Sequence, residues 1–152
     1  MAMTAHEARV RIRDDLAAAI DQLALAMACL SEAFEQLDVG TADALEAELF
    51  TPVRKALGRG KRTLSQFVDG HGLPAADVET HSPGRSSQSV QGFVERAVLA
   101  AAEADRIIAE LQDSMLPIES GDAALRTGLS EVRELLDELP GAARQFLRTL
   151  GR

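Results

Sequence analysis

Apolar residues recur along this chain at alternating steps of four and three positions, the spacing that lines one side of a helix. The first such series is Leu16, Ile20, Leu23, Met27, Leu30, Phe34 and Leu37. Two more series of the same kind occupy residues 90–115 and 125–150, and apolar residues between 45 and 67 share one further helical side. The pattern therefore predicts four long helices with coiled-coil-like packing.

Capping and helix-breaking residues divide this pattern. Thr4 followed by Glu7 has capping-box spacing and predicts a first helix that starts near residue 5. The segment 39–41, Val-Gly-Thr, is expected to close that helix and cap the next one. Pro52 and Pro140 interrupt the second and fourth helices, where proline removes a backbone donor, so each predicts a kink.

These elements predict an all-α fold, an antiparallel up-down four-helix bundle made of two helical hairpins with long kinked helices. Hairpin 1 is predicted at 5–69 and hairpin 2 at 88–150, with an exposed Gly-, Pro- and Ser-rich loop at 70–87 between them. The 152 residues form one predicted domain, 1–152, large enough to bury a core without metal or disulfide support.

Composition narrows the classes of function. The chain has five aromatic residues, all Phe, whereas ligand pockets and nucleic-acid stacking platforms commonly use aromatic faces. The net charge of -8 repels the phosphate backbone, so we expect no nucleic-acid partner. The 14 Arg against two Lys, together with abundant Ala, indicate a bacterial, GC-rich genome.

The predicted location is cytoplasmic. A single cysteine, Cys29, forms no internal disulfide, as is typical of a reducing compartment. Asp14 and Asp15 lie where a signal peptide requires apolar residues. The longest unbroken apolar run, Leu23 to Leu30, is far shorter than a membrane span, so we expect no membrane association.

The chain carries no recognisable catalytic or metal-binding set, and we predict neither a cofactor nor an enzyme. Di-iron bundles use Glu-x-x-His pairs, and none of the three histidines lies three residues after a Glu. His71 and His81 with Asp77 and Glu79 offer zinc-type ligands, but their spacing matches no structural zinc site. Cys29 lies in an apolar mid-helix stretch and is predicted to pack rather than react.

Two surfaces are candidates for interaction. The segment 23–30 is apolar on all sides, and Ala18, Leu25 and Cys29 project away from the main series. Either neighbouring helices of the same chain bury this segment, or it forms a dimer interface across the first helix. The second candidate is a cluster of five cations within nine residues, Arg54, Lys55, Arg59, Lys61 and Arg62.

The cationic cluster contrasts with residues 14–48, which contain nine acidic residues and no Lys or Arg. Such asymmetry is explained by solvated helix faces, by a docking patch for an anion or an acidic partner, or by head-to-tail self-association. We therefore predict a non-catalytic protein-interaction, scaffolding or regulatory module, which associates with itself as a homodimer and binds a protein partner. The alternative is a helical bundle that binds a hydrophobic or anionic small molecule.

Overall fold

A computed structural model describes residues 2–77 and 89–150 of the protein. Of these described residues, 85% are helical and none is in a β-strand. The predicted all-α fold is therefore confirmed. The predicted loop lies partly outside the described residues, at positions 78–87.

The described residues form seven α-helices and one π-helical turn. These are α1 (Ala5–Glu35), α2 (Val39–Leu45), the π turn (Glu46–Phe50), α3 (Thr51–Gly70), α4 (Val90–Asp113), α5 (Leu116–Glu119), α6 (Ala123–Leu136) and α7 (Leu139–Leu150). The segments α2, π turn and α3 follow one another without a break, so they make one long helical rod.

Four helices begin at a side chain that accepts a hydrogen bond from the amide three residues ahead. These caps are Thr4, Asp38, Ser89 and Asp122. The Thr4 cap confirms the predicted start of the first helix. The predicted end of that helix is wrong, because Val39, Gly40 and Thr41 form the first turn of α2. Asp38 takes the cap, since its carboxylate accepts the Thr41 amide at 2.9 Å.

The two prolines that predicted kinks have different effects. Pro52 lies in an unbroken helix, directly after the π turn Glu46–Phe50. Proline lacks an amide hydrogen and its ring crowds the preceding turn, so a wider π turn provides the room that the ring needs. At Pro140 the helix is broken instead: α6 ends at Leu136 and α7 starts at Leu139.

The core lies among α1, α3, α4 and the consecutive helices α6 and α7. Helix α1 packs most extensively against α4 and also against α3, while α3 packs against α6. Half of the all-round apolar segment 23–30 is fully buried, three of its residues are half-buried, and only Ala24 within it is exposed. Neighbouring helices of the same chain therefore bury half of this segment, and an interface between two copies across α1 stays a prediction.

Contacts along the helices fix their directions. Early residues of α1 meet the end of α3 and the chain after it, as Arg13 donates to the Pro74 carbonyl at 3.0 Å. Early α1 also meets the chain after α4, where Arg9 donates to the Ser120 carbonyl at 3.1 Å. Farther along α1, Cys29 lies near Arg96 in the early part of α4. Both α3 and α4 therefore run antiparallel to α1.

It follows that α3 and α4, consecutive rods in the chain, run in the same direction. Helix α6 is antiparallel to α3, because Asp122 meets His71 at its start and Glu131 meets Arg59 further on. The predicted strict up-down alternation is thus wrong at one connection, between the second and third rods. The 19 residues 71–89 connect those two helices. A chain of 19 residues can extend to about 60 Å at most, which exceeds the roughly 36 Å length of α4, so the connection is long enough for two consecutive helices to run in the same direction.

The apolar character of helix α1 bears on where in the cell the protein is located. By length and composition it is apolar enough to cross a membrane, and half of its most apolar stretch is buried inside the structure. Core helices and membrane spans share these properties, so this is weak evidence for either. The cytoplasmic location stays a prediction.

Candidate functional site

Four of the five predicted cations line one open groove between α3 and α6. The groove has a volume of ≈ 640 Å³ and is lined by Arg54, Lys55, Gly58, Arg59, Arg62, Glu131 and Leu135. Residues three, four and seven positions apart share one helical face, which is why these cations of α3 converge. Lys61 is exposed but lies outside this groove. We call the surface the basic groove.

The cations of the basic groove differ in how firmly they are held. Arg59 pairs with Glu131 of α6 and also donates to the Thr63 hydroxyl at 3.0 Å. The guanidinium of Arg54 lies 6.0 Å from the centre of the Phe50 ring, within cation–π range. Lys55 and Arg62 are exposed and form no ion pair within the part of the chain that the structure describes. The charges of these two side chains are therefore not neutralised by any ion pair among the described residues.

An acidic groove of ≈ 540 Å³ adjoins the basic groove along the same α3–α6 face. Its acidic residues are Glu48, Glu134, Asp137 and Glu138. Lys55 and Leu135 line both grooves. The α3–α6 face therefore has a negative half next to the α6–α7 break and a positive half along α3.

The three residues of the predicted interface on α1 differ in how exposed they are. Ala18 is exposed and Leu25 is half-buried against the core. Cys29 is 0% exposed, so its assignment to an interface is wrong. It lies on the side of α1 that α4 covers, and burial raises the pKa of its thiol. Cys29 is a core residue.

Smaller grooves lie elsewhere on the described surface, and one of ≈ 220 Å³ between α1 and α4 is lined by Ala18. Phe34 and Phe50 line one of ≈ 260 Å³ at the hairpin end of α1, beside Glu35 and Glu46. Another, of ≈ 470 Å³, lies between α4 and the α6–α7 break. Arg133 lines this groove and donates to Asp105, another lining residue, at 3.0 Å and to Gln112 at 2.9 Å.

Among the described residues, no three His, Cys, Asp or Glu side chains could hold a metal ion. His71 lies 2.9 Å from an Asp122 carboxylate oxygen, and its ring packs 4.6 Å from that of Phe67. This contact ties the end of α3 to the start of α6. Glu79 and His81, the other half of the zinc-type set, lie outside the described residues.

The carboxylate of Asp122 is also electrostatically stabilised. Burial alone would raise its pKa, but the Leu125 amide, His71 and Arg126 outweigh burial and lower the pKa. The role of this contact is structural: a capped helix start held to a neighbouring helix end.

Sequence reasoning missed the acidic half of the face and the Arg59–Glu131 pair. Four acidic residues within 131–138 were the available indication of the acidic half. No sequence feature indicates that Glu131 pairs with a residue 72 positions away. No family model, curated protein or solved structure matches the chain.

Proposed function

We propose that the protein is a non-catalytic protein-interaction module of the scaffolding or regulatory kind, and that its α3–α6 face is the binding surface. In this proposal the four rods form one bundle with coiled-coil-like packing that holds the face rigid. The antiparallel contacts of α1 with α3 and α4, and of α6 with α3, support that arrangement. Rigid presentation favours affinity because little order has to be created on binding.

The basic groove carries the proposal. It is an open groove on the surface, and its Lys55 and Arg62 charges are exposed and not paired within the described structure. Small-molecule sites are typically concave and mostly apolar, enclosing most of the ligand. An open groove with several cations instead suits the acidic side chains of a protein segment, which long basic residues reach across solvent.

Binding of an acidic peptide tests this proposal. A fluorescein-labelled peptide with alternating Glu and Leu residues is titrated with protein at low salt, and anisotropy gives the dissociation constant. Arg62→Glu exchanges attraction for repulsion inside the groove, so it should weaken binding about tenfold. Lys61→Glu is the matched control, since Lys61 is also an exposed cation but lies outside the groove.

The control variant should bind the peptide nearly as well as the native protein. Equal losses in the two variants would mean that only net charge matters, and the groove would not be a site. A peptide with Lys in place of Glu should not bind.

A small anionic ligand is the second candidate function, because the ≈ 640 Å³ volume falls within the range of ligand sites. The same alternative function includes a helical bundle that binds a hydrophobic small molecule. Inorganic pyrophosphate distinguishes the first of these: displacement of the peptide at micromolar pyrophosphate would favour the small anion. Displacement only at concentrations where added salt acts equally well favours the protein segment.

A further inference from the structure

We infer that the partner of the α3–α6 face is a second copy of this chain, packed so that the basic half of each copy covers the acidic half of the other. This inference rests on the proposed function of the same face and names its partner. The first argument is charge complementarity. Arg62 on one half faces Glu48 and its acidic neighbours on the other half after a twofold rotation.

The position of the shared residues supports a twofold axis. Leu135 is half-buried and lines both grooves, so it lies where the two halves meet. An axis through this point brings Leu135 of each copy onto the other at the centre of the contact. Glu48 and Arg62 lie seven residues before and after Lys55, about 10 Å each way at helical rise. Rotation therefore brings the two charges of opposite sign to matching distances from the axis.

Gly58 provides an argument that does not depend on charge. It is exposed in the middle of α3, and a Cβ there would meet no atom within 4 Å. Glycine costs about 1 kcal/mol relative to Ala inside a helix. Gly60 has a reason within the chain, because a Cβ there would lie 3.2 Å from Ile20. No contact among the residues that the structure describes requires Gly58, whereas a second α3 that approaches the groove closely would.

The expected dimer is weak and sensitive to salt. A face of α3 length, about 30 Å, and two helices wide, about 20 Å, covers about 600 Å² per copy. The total of about 1,200 Å² is the lower limit of specific stable interfaces. Much of the attraction is between exposed charges, which 1 M salt screens beyond about 3 Å.

Sedimentation velocity of the full chain tests the inference. At 100 µM protein and 50 mM NaCl, we expect a species of twice 16.3 kDa that dissociates on dilution and in 1 M NaCl. Lys55→Glu/Arg62→Glu and Glu134→Lys/Glu138→Lys should each be monomeric. An equimolar mixture of the two should recover the dimer, since a negative face then meets a positive face. Gly58→Leu should prevent pairing by bulk alone.

Two controls address other surfaces. Lys61→Glu and Ala18→Glu, the latter on the α1 side that the sequence pattern suggested, should dimerise like the native chain. Far-UV circular dichroism checks that every variant is folded.

A sedimenting mass of 16.3 kDa at every concentration would overturn the inference. So would a dimer that both double variants retain, or double variants that fail to pair when mixed. A monomer that still binds the acidic peptide leaves the proposed function standing without the second copy. A monomer that binds no peptide refutes both.

Discussion

Replacing Gly128 by Ala tests how closely α3 and α6 approach each other. A Cβ on Gly128 would lie 2.1 Å from the Oγ1 atom, 2.6 Å from Cγ2 and 2.9 Å from Cβ of Thr63. Rotation of the Thr63 side chain does not relieve the last contact. Such a rotation also breaks two hydrogen bonds of the Thr63 hydroxyl, which accepts from the Arg59 guanidinium at 3.0 Å and donates to the Arg59 carbonyl at 2.8 Å. The two helices therefore have to separate.

The expected loss of stability follows from three terms. Overpacking of a tight contact costs about 2 kcal/mol, and disturbance of the buried hydroxyl costs about 1 kcal/mol more. Exchange of Gly for Ala inside a helix returns about 1 kcal/mol. We expect Gly128→Ala to lower the free energy of unfolding by about 2 kcal/mol.

Gly58→Ala is the matched control, because the same exchange in α3 meets nothing within 4 Å. It should raise the free energy of unfolding by up to about 1 kcal/mol. Thr63→Ala in the Gly128→Ala background removes two of the three close atoms. The double variant should therefore be more stable than the sum of the single variants predicts, by about 1 kcal/mol.

Urea unfolding followed by circular dichroism at 222 nm is the assay, at a few micromolar protein. The chain has no Trp or Tyr, so intrinsic fluorescence offers little, while its helices give a large ellipticity. An unfolding free energy of Gly128→Ala equal to or above that of the native chain would refute the close approach of α3 and α6.

Four further predictions concern single residues. Leu30→Ala should lower the free energy of unfolding by about 2–5 kcal/mol, because Leu30 is 1% exposed; a urea-measured loss below about 1 kcal/mol would contradict its core position. Asp122→Asn keeps a capping side chain but not the carboxylate, whose lowered pKa stabilises the fold above its ordinary pKa of about 3.9. The native chain should thus be more stable than this variant at pH 7, and the difference should vanish as pH falls through the lowered pKa in urea titrations. Cys29 should react with a thiol reagent such as DTNB only in urea, since the native thiol is buried with a raised pKa; fast labelling without urea would contradict this. Met115→Gly should raise the free energy of unfolding by about 1 kcal/mol, as Met115 holds a φ of 66°; a lower urea midpoint would show that its side chain contributes more than the backbone strain costs.

The sequence by itself determined most of the helical stretches and most of the buried side of α1, but Phe34 of the same apolar series is 38% exposed and Leu37 lies beyond the end of α1 at Glu35. The apolar steps of four and three give Leu16, Leu23 and Leu30 a common face, and all three are fully buried. Thr4 marked the first helix start because capping is a local hydrogen bond. The end of that helix was predicted wrongly, because the Asp38 side chain caps α2 and Gly40 therefore lies inside the first turn of α2 instead of ending α1.

For the interaction surface, the sequence supplied the cations but not their setting. Arg54, Lys55 and Arg62 share a helical face by spacing alone. Lys61, although adjacent in sequence, points away from the groove. The pairing of Arg59 with Glu131, and the acidic half beside it, come from α6 and depend on which helix lies next to α3.

The tertiary structure alone decided which helices meet and in which direction. Burial of apolar surface is non-directional, so a helix pattern identifies a buried face without naming what covers it. For this reason the sequence left open whether Cys29 faces a neighbouring helix or a second copy, and it does not distinguish Gly58 from Gly60, two glycines within the same helix. Only the packing distinguishes these residues. Cys29 is fully buried in the core, a Cβ on Gly60 would contact Ile20, and a Cβ on Gly58 would contact nothing within 4 Å.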